Sequence, residues 1–257
     1  MTIHTLFKRE KNILIGMIHL SPLLSIQGYP GMHTLIDEAL ADLNALEKAG
    51  FDAVLIENEH DKPHTEYANQ AQIASFTVVA QEICRRAIIP VGVQVMLNDW
   101  IASCAIAKAV GATFTRLDVF VDDVICEWGE INPDPEKIIT YKNSIYPELF
   151  LLTDIQVKYK TMVTPRPLVE SAKLALKHSS DGLIITGEAT GSETPLRKIK
   201  EVRDAYPSTP LFVGAGIAPQ NSIEQLSVAH GAIVGTSIKT KGRIDYEKAY
   251  QLRKCVP

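Results

Sequence analysis

The sequence predicts a (β/α)8 barrel built from the whole chain, residues 1–257, as one domain. Three observations point there. The chain has 257 residues, close to the roughly 250 of a typical barrel of this kind. Eight short apolar runs are separated, for the most part, by segments of helical period, the pattern of parallel βα units. The last two runs each end in a turn of small residues, Val213-Gly214-Ala215-Gly216 and Val234-Gly235-Thr236-Ser237. In such barrels the loops after strands seven and eight often cradle a phosphate. Glycine lets the backbone approach a ligand, and a following helix N-terminus presents unpaired N–H groups to an anion.

The apolar runs fall at residues 13–18, 53–56, 91–96, 114–119, 149–155, 182–186, 211–213 and 232–234. The clearest helix occupies 35–50, with Leu35, Ala39, Leu43 and Leu46 on one face and Gly50 as its stop. A second helix at 101–110 ends at Gly111, and others are expected at 169–177, 196–205 and 223–229. An open doubly wound sheet is the alternative architecture. The chain has no early Gly-x-Gly-x-x-Gly to mark a dinucleotide site.

Function in a barrel sits at the C-terminal ends of the strands. Strand one runs into His19 before Ser21-Pro22. A packed, hydrogen-bonded histidine and an acid–base or ligand role are both open there. Strand two runs directly into Glu57, a carboxylate costly to bury without purpose. His60 and His64 have a spacing that suits a metal on a helix, but Pro63 between them favours a solvated loop, and no metal site is expected. On strand three, alternation places Gln94 toward the lumen. Asn98 and Asp99 lie beyond the strand, where Asp99 is suited to cap the next helix.

Arg116 and Asp118 share a face of strand four and suit an internal ion pair. Asp154, Gln156 and Lys158 are spaced to share the lumen face of strand five, stacking Lys158 above Asp154. A lysine beside carboxylates can act as acid–base, electrostatic clamp or Schiff-base nucleophile, or the group can be a structural charge network. Thr186-Gly187 followed by Ala189-Thr190-Gly191 gives a third loop suited to anion contact or simply to tight turning. Lys239 can neutralise a phosphate or sit in solvent. The expected catalytic set is thus His19, Glu57, Asp118, Asp154 and Lys158. The expected substrate- and phosphate-binding set is Gln94, Asn98, Thr186, Gly187, Gly214, Gly216, Gly235, Thr236 and Ser237.

Composition excludes several classes of partner. Hydrophobic residues make up 46%, charged residues 22%, and the net charge is −4. There is no basic run or basic stripe, so nucleic acid is not an expected partner. No apolar stretch approaches the ~20 residues that span a bilayer, and the first ten residues lack a signal-peptide core. The four cysteines are isolated, as expected of free thiols in a reducing cytoplasm. The expected partners are a small phosphorylated metabolite, with homo-oligomerisation left open, and no cofactor.

Several segments together resemble the BtpA/SgcQ family of (β/α)8 proteins. They are Ile15-Gly16-Met17-Ile18-His19-Leu20, Ile56-Glu57-Asn58, Pro90-Val91-Gly92-Val93 and Asn98-Asp99. They continue with Leu152-Thr153-Asp154-Ile155-Gln156-Val157-Lys158, the Thr186 and Gly191 loop, and the Gly214 and Gly235 turns through Lys239. The resemblance implies a fold near the ribulose-phosphate-binding barrels. Beside it, the ionisable lumen residues His19, Glu57, Asp154 and Lys158 suit an enzyme with isomerase or lyase chemistry on a small sugar- or nucleotide-derived phosphate. The alternative that the resemblance implies is a non-enzymatic assembly factor, since cyanobacterial members are associated with photosystem I biogenesis. The chain departs from the family pattern at Gln94 (usually Asn), Asp118 (often Asn) and Gln156 (often His).

Overall fold

Eight strands form the centre of the computed structural model, which describes residues 1–189 and 191–257. They are β1 (Ile13–His19), β2 (Ala53–Glu57), β3 (Val91–Gln94), β4 (Phe114–Leu117), β5 (Phe150–Ile155), β6 (Gly182–Ile185), β7 (Leu211–Val213) and β8 (Gly231–Val234). All neighbours are parallel, and the sheet closes in the order β1-β8-β7-β6-β5-β4-β3-β2. The expected barrel is present, and each of the eight apolar runs supplies one strand.

Helices α1 (Met32–Ala49), α2 (Gln70–Arg86), α3 (Trp100–Val110), α4 (Pro135–Ile145), α5 (Leu168–Lys177), α6 (Leu196–Ala205), α7 (Ser222–Val228) and α8 (Tyr246–Cys255) follow the strands in turn. Local chemistry sets their limits. Gly50 ends α1 at φ 82°, and its N–H donates back to Glu47 and Leu46. Asn69 and Gln72 form a capping box at the start of α2. Asp99 caps α3 by accepting from the Ala102 N–H at 2.8 Å.

β3 and β4 each end two residues before their apolar runs do, because side chains take over the backbone groups. The Val95 N–H donates to Ser103 Oγ at 2.9 Å and the Met96 N–H to Asn58 Oδ1 at 2.7 Å, so β3 stops at Gln94. The Val119 N–H donates to Asn98 Oδ1 at 3.0 Å, so β4 stops at Leu117.

The lumen is filled at its lower end by side chains such as Ile15, Leu55, Phe114, Phe150, Leu152 and Phe212. A five-residue helix at Ile3–Phe7 closes that end. Phe7 is inserted among Phe114, Phe150 and Phe212, with ring centroids 5.7, 6.3 and 5.9 Å away. Such edge-on aromatic contacts contribute beyond the area they bury. Phe7→Leu should therefore lower stability by about 1–2 kcal/mol. A fall in the urea midpoint at constant m would register it, and an unchanged midpoint would show that the plug contributes nothing.

At the opposite end, a small three-stranded antiparallel sheet crosses the mouth. Val124–Cys126 pairs with Gly129–Ile131 on one side and with Thr161–Met162 on the other. The first two strands follow β4 and the third follows β5. Beneath them Leu97, Val119, Val124, Ile131 and Val157 form a separate apolar cluster. No helix among the described residues is long and apolar enough to cross a membrane.

Candidate functional site

Register assembles the site. His19 of β1 lies opposite Glu57 of β2, which lies opposite Gln94 of β3. Three polar side chains thus stand in one row at the C-terminal rim. On β4 and β5, alternation brings Arg116 and Asp154 into the lumen one layer above Phe114 and Leu152. A cavity of about 860 Å³ opens between this rim and the three-stranded lid.

A buried ion network forms one part of its base. Arg116 donates from Nε and Nη2 to the two oxygens of Asp154 at 2.7 and 2.8 Å. Its Nη2 is also 3.6 Å from Asp118. Asp118 accepts from Gln94 Nε2 at 2.8 Å and from Lys160 Nζ at 3.2 Å. Burial opposes the charge on Asp118, but Lys160, Arg116 and Lys158 outweigh it and hold the carboxyl well below the usual carboxylate range. Burial raises Asp154, and Arg116 works against that shift. Arg116 stays cationic: burial opposes its charge, and Asp154 and Asp118 more than restore it.

Beside the network, His19 Nε2 lies 3.4 Å from Glu57 Oε2. Burial, with Lys239, His60, Lys158 and Arg116 nearby, pushes His19 well below the ordinary histidine value. Burial, reinforced by the neighbouring Glu59, pushes Glu57 up to about 8. At neutral pH the pair is therefore a neutral imidazole next to a protonated carboxyl, a base and an acid side by side.

The opposite wall is glycine backbone. Gly214, Gly216, Gly235, Thr236 and Ser237 all line the cavity. Gly216 cannot carry a side chain. Its φ is 73°, and a Cβ would stand 2.3 Å from the Ser192 carbonyl oxygen. Gly235 differs: a Cβ there would meet Met17 only at 3.6 Å and His19 Cε1 at 3.8 Å. Its open side therefore faces the cavity next to His19. Ser237 Oγ and Lys239 Nζ are buried without a hydrogen-bond partner among the described residues. Burial lowers Lys239 to about 8, against the pull of Asp42 and Glu57. Ser237 lines the cavity, where an anion would satisfy its hydroxyl, whereas Lys239 lies outside the cavity lining, toward Asp42 and Glu57. The segment after β8 is a three-residue turn, Thr236–Ile238, rather than a long helix.

Of the residues expected from sequence, His19, Glu57, Asp118 and Lys158 line the cavity together with the five cradle residues. Others stand behind the wall. Asp154 is 2% exposed, with both oxygens on Arg116. The Gln94 amide nitrogen is held by Asp118. Asn98 exchanges two hydrogen bonds with the Val119 backbone, tying the loop after β3 to the loop after β4. Thr186 Oγ1 accepts from the Lys158 N–H at 3.1 Å, which orients the lysine's backbone. Gly187 packs on the segment opposite, where a Cβ would stand 2.8 Å from the Ser192 carbonyl oxygen. Thr190 lies outside the described residues.

The expected stack on strand five is corrected at Gln156. Its φ of 51° breaks the alternation after Ile155. The side chain turns outward to the Arg166 carbonyl and Ser171 Oγ. His60 lies edge-on to His19 with centroids 6.2 Å apart, and His64 lies against Trp128. Among the described residues no group of three or more His, Cys, Asp or Glu is placed to hold a metal ion. Sequence reasoning missed Lys160, which lies beyond the end of β5 in the turn that follows Lys158, and Trp128, which only the lid brings to the mouth.

The sequence profile of the BtpA family matches residues 10–256. An uncharacterised protein of Pyrococcus abyssi is 32% identical over 253 residues, covering 95% of each chain. The photosystem I biogenesis protein BtpA of Synechocystis is 29% identical over 237 residues, covering 91% of this chain and 83% of that one. Among solved structures, N-(5'-phosphoribosyl)anthranilate isomerase from Pyrococcus furiosus superposes with a TM-score of 0.60 at 14% identity, over 95% of this chain and 98% of that one. At that identity the likeness concerns the fold.

Proposed function

The chain belongs to the BtpA family, and on that premise we propose that it is an enzyme acting on a small phosphorylated metabolite, sugar- or nucleotide-derived, by isomerase or lyase chemistry. The observation that carries this is the pairing within one cavity of an acid–base couple with an anion cradle. His19 and Glu57 lie 3.4 Å apart on one wall, and the glycine turns after β7 and β8 form the other. The structural neighbour is itself an isomerase of a phosphoribosyl compound, which suits this reading.

In the proposed mechanism the phosphate rests on the turns at 214–216 and 235–237, where Ser237 supplies a hydroxyl that has no hydrogen-bond partner among the described residues. Neutral His19 removes a proton from the carbon beside a carbonyl or imine. Protonated Glu57 delivers one to the neighbouring atom. Lys158 faces the negative charge that develops between those steps. Cleavage of a C–C or C–N bond generates charge in the same place. Arg116, Asp154 and Lys160 hold Asp118 and the rim in position. A non-enzymatic assembly role, suggested by the name of the Synechocystis relative, leaves so many desolvated ionisable groups in one mouth without a use.

Thermal shift against paired sugars tests the phosphate. Ribose 5-phosphate should raise Tm where ribose does not, because a ligand at 100 times its Kd stabilises by about 2.7 kcal/mol. Gly235→Ala adds a methyl group that the protein tolerates but a phosphate at the backbone does not. It should weaken that ligand on the order of tenfold, or about 1.4 kcal/mol, without lowering the Tm of the ligand-free protein. No shift with any phosphorylated compound would favour the assembly role.

A further inference from the structure

We infer that the ligand of this cavity carries a planar aromatic group, held under the lid by Trp128, Tyr159 and His64 while its phosphate rests on the glycine turns. This deepens the proposed function and rests on its phosphate site. Three observations carry it. First, the cavity of about 860 Å³ falls in the upper part of the roughly 300–1,000 Å³ range of small-molecule sites. The glycine cradle occupies one end, and the lid end is left to a second moiety.

Second, the lid end gathers aromatic and apolar side chains beside the charged Lys62, Glu127 and Lys160. Trp128, Tyr159, His64, Met96, Leu97 and Cys126 all face the cavity. Glu127 and Trp128 form the two-residue tip of the hairpin in which Cys126 pairs with Gly129. The chain thus spends its hairpin tip on placing an indole over the mouth.

Third, these rings are poised for contact rather than packed away. Trp128 remains 39% exposed and Tyr159 63% exposed. The imidazole of His64 stands edge-on to the indole at 5.6 Å and 89°, which braces the indole from the side. Strand alternation turns Ile125 outward, 50% exposed, and Val124 and Cys126 inward, so the aromatic surface belongs to the cavity rather than to the outside of the lid. A planar ring sliding against these faces gains stacking and removes exposed aromatic surface from water.

The protein has two tryptophans. The other, Trp100, is 6% exposed and packs on Tyr141 against α4, outside this cavity. Trp100→Phe therefore makes Trp128 the sole indole reporter, and emission can be titrated with four probes. They are ribose 5-phosphate, adenosine 5′-monophosphate, uridine 5′-monophosphate and adenosine. A nucleoside monophosphate should change Trp128 emission and bind about tenfold or more tighter than ribose 5-phosphate. Trp128→Ala should erase that advantage, read by thermal shift, and leave ribose 5-phosphate binding within about twofold. Equal binding of ribose 5-phosphate and the monophosphates, with emission unchanged, would overturn the aromatic group and leave the phosphate site standing. Adenosine binding as tightly as its monophosphate would uphold the ring and remove the phosphate. Binding by none of the four would overturn both.

Discussion

Asp154→Ala should lower stability by about 3–5 kcal/mol, the usual loss when one partner of a buried ion pair is removed. Arg116 is 4% exposed and directs two hydrogen bonds of 2.7 and 2.8 Å at Asp154. Without them the guanidinium keeps only the longer contact to Asp118 at 3.6 Å. A paired change of Arg116→Met with Asp154→Leu should recover much of the loss, because it removes the stranded charge as well as its partner. Urea unfolding of the three variants measures both effects. If the single variant lost less than about 1 kcal/mol, the two-armed pair would not be what holds the lumen layer together.

Glu57→Gln should lower turnover by a factor on the order of 10² or more once a substrate is in hand, because an amide cannot deliver a proton. Lys158→Met should do likewise by removing the charge that faces the oxyanion. The carboxyl of Glu57 also has a signature that needs no substrate. Its folded value of about 8 is raised from 4.5. The native state therefore holds this proton more tightly than the unfolded chain does. The stability it contributes is full below about pH 4.5 and is lost as pH rises through about 8. Glu57→Gln has no such proton to lose. Its Tm relative to the parent should rise between pH 5 and pH 9. A difference that stayed flat over that range would mean Glu57 is already ionised at neutral pH, and the acid of the proposed mechanism would have to be found elsewhere.

How much of this was legible in the sequence follows from how local each signal is. The eight strands were readable because a parallel barrel strand is buried on both faces and appears as a plain apolar run. Gly50 and Gly111 marked helix ends because a left-handed cap is a one-residue signal. Helix α2 was harder. Its buried stripe includes Gln72 and Ser75, which dilute the apolar period. The lid was not legible, since strands of two and three residues carry no period.

At the site, His19, Glu57 and the glycine turns could be placed by position alone, at the ends of runs that obey alternation. Gln156 could not, because one positive φ redirected it. The partnership of Arg116 with Asp154 depends on register between β4 and β5, with Arg116 opposite Leu152, and no single strand encodes that. Asn98 likewise finds its partner in the backbone of the next loop.

The lid's attachment has a kinetic consequence. Its strands come from two separate loops, the one after β4 and the one after β5, joined by the pairs Val124 with Met162 and Ile125 with Thr161 and by the Val163 N–H donating to the Asp123 carbonyl at 2.8 Å. A cover anchored on both margins cannot swing on a single hinge. Widening the mouth while the barrel stays intact parts that short seam as one undoes a clasp. Substitutions along the clasp therefore govern how fast the chamber exchanges its contents, independently of the groups inside that act on them.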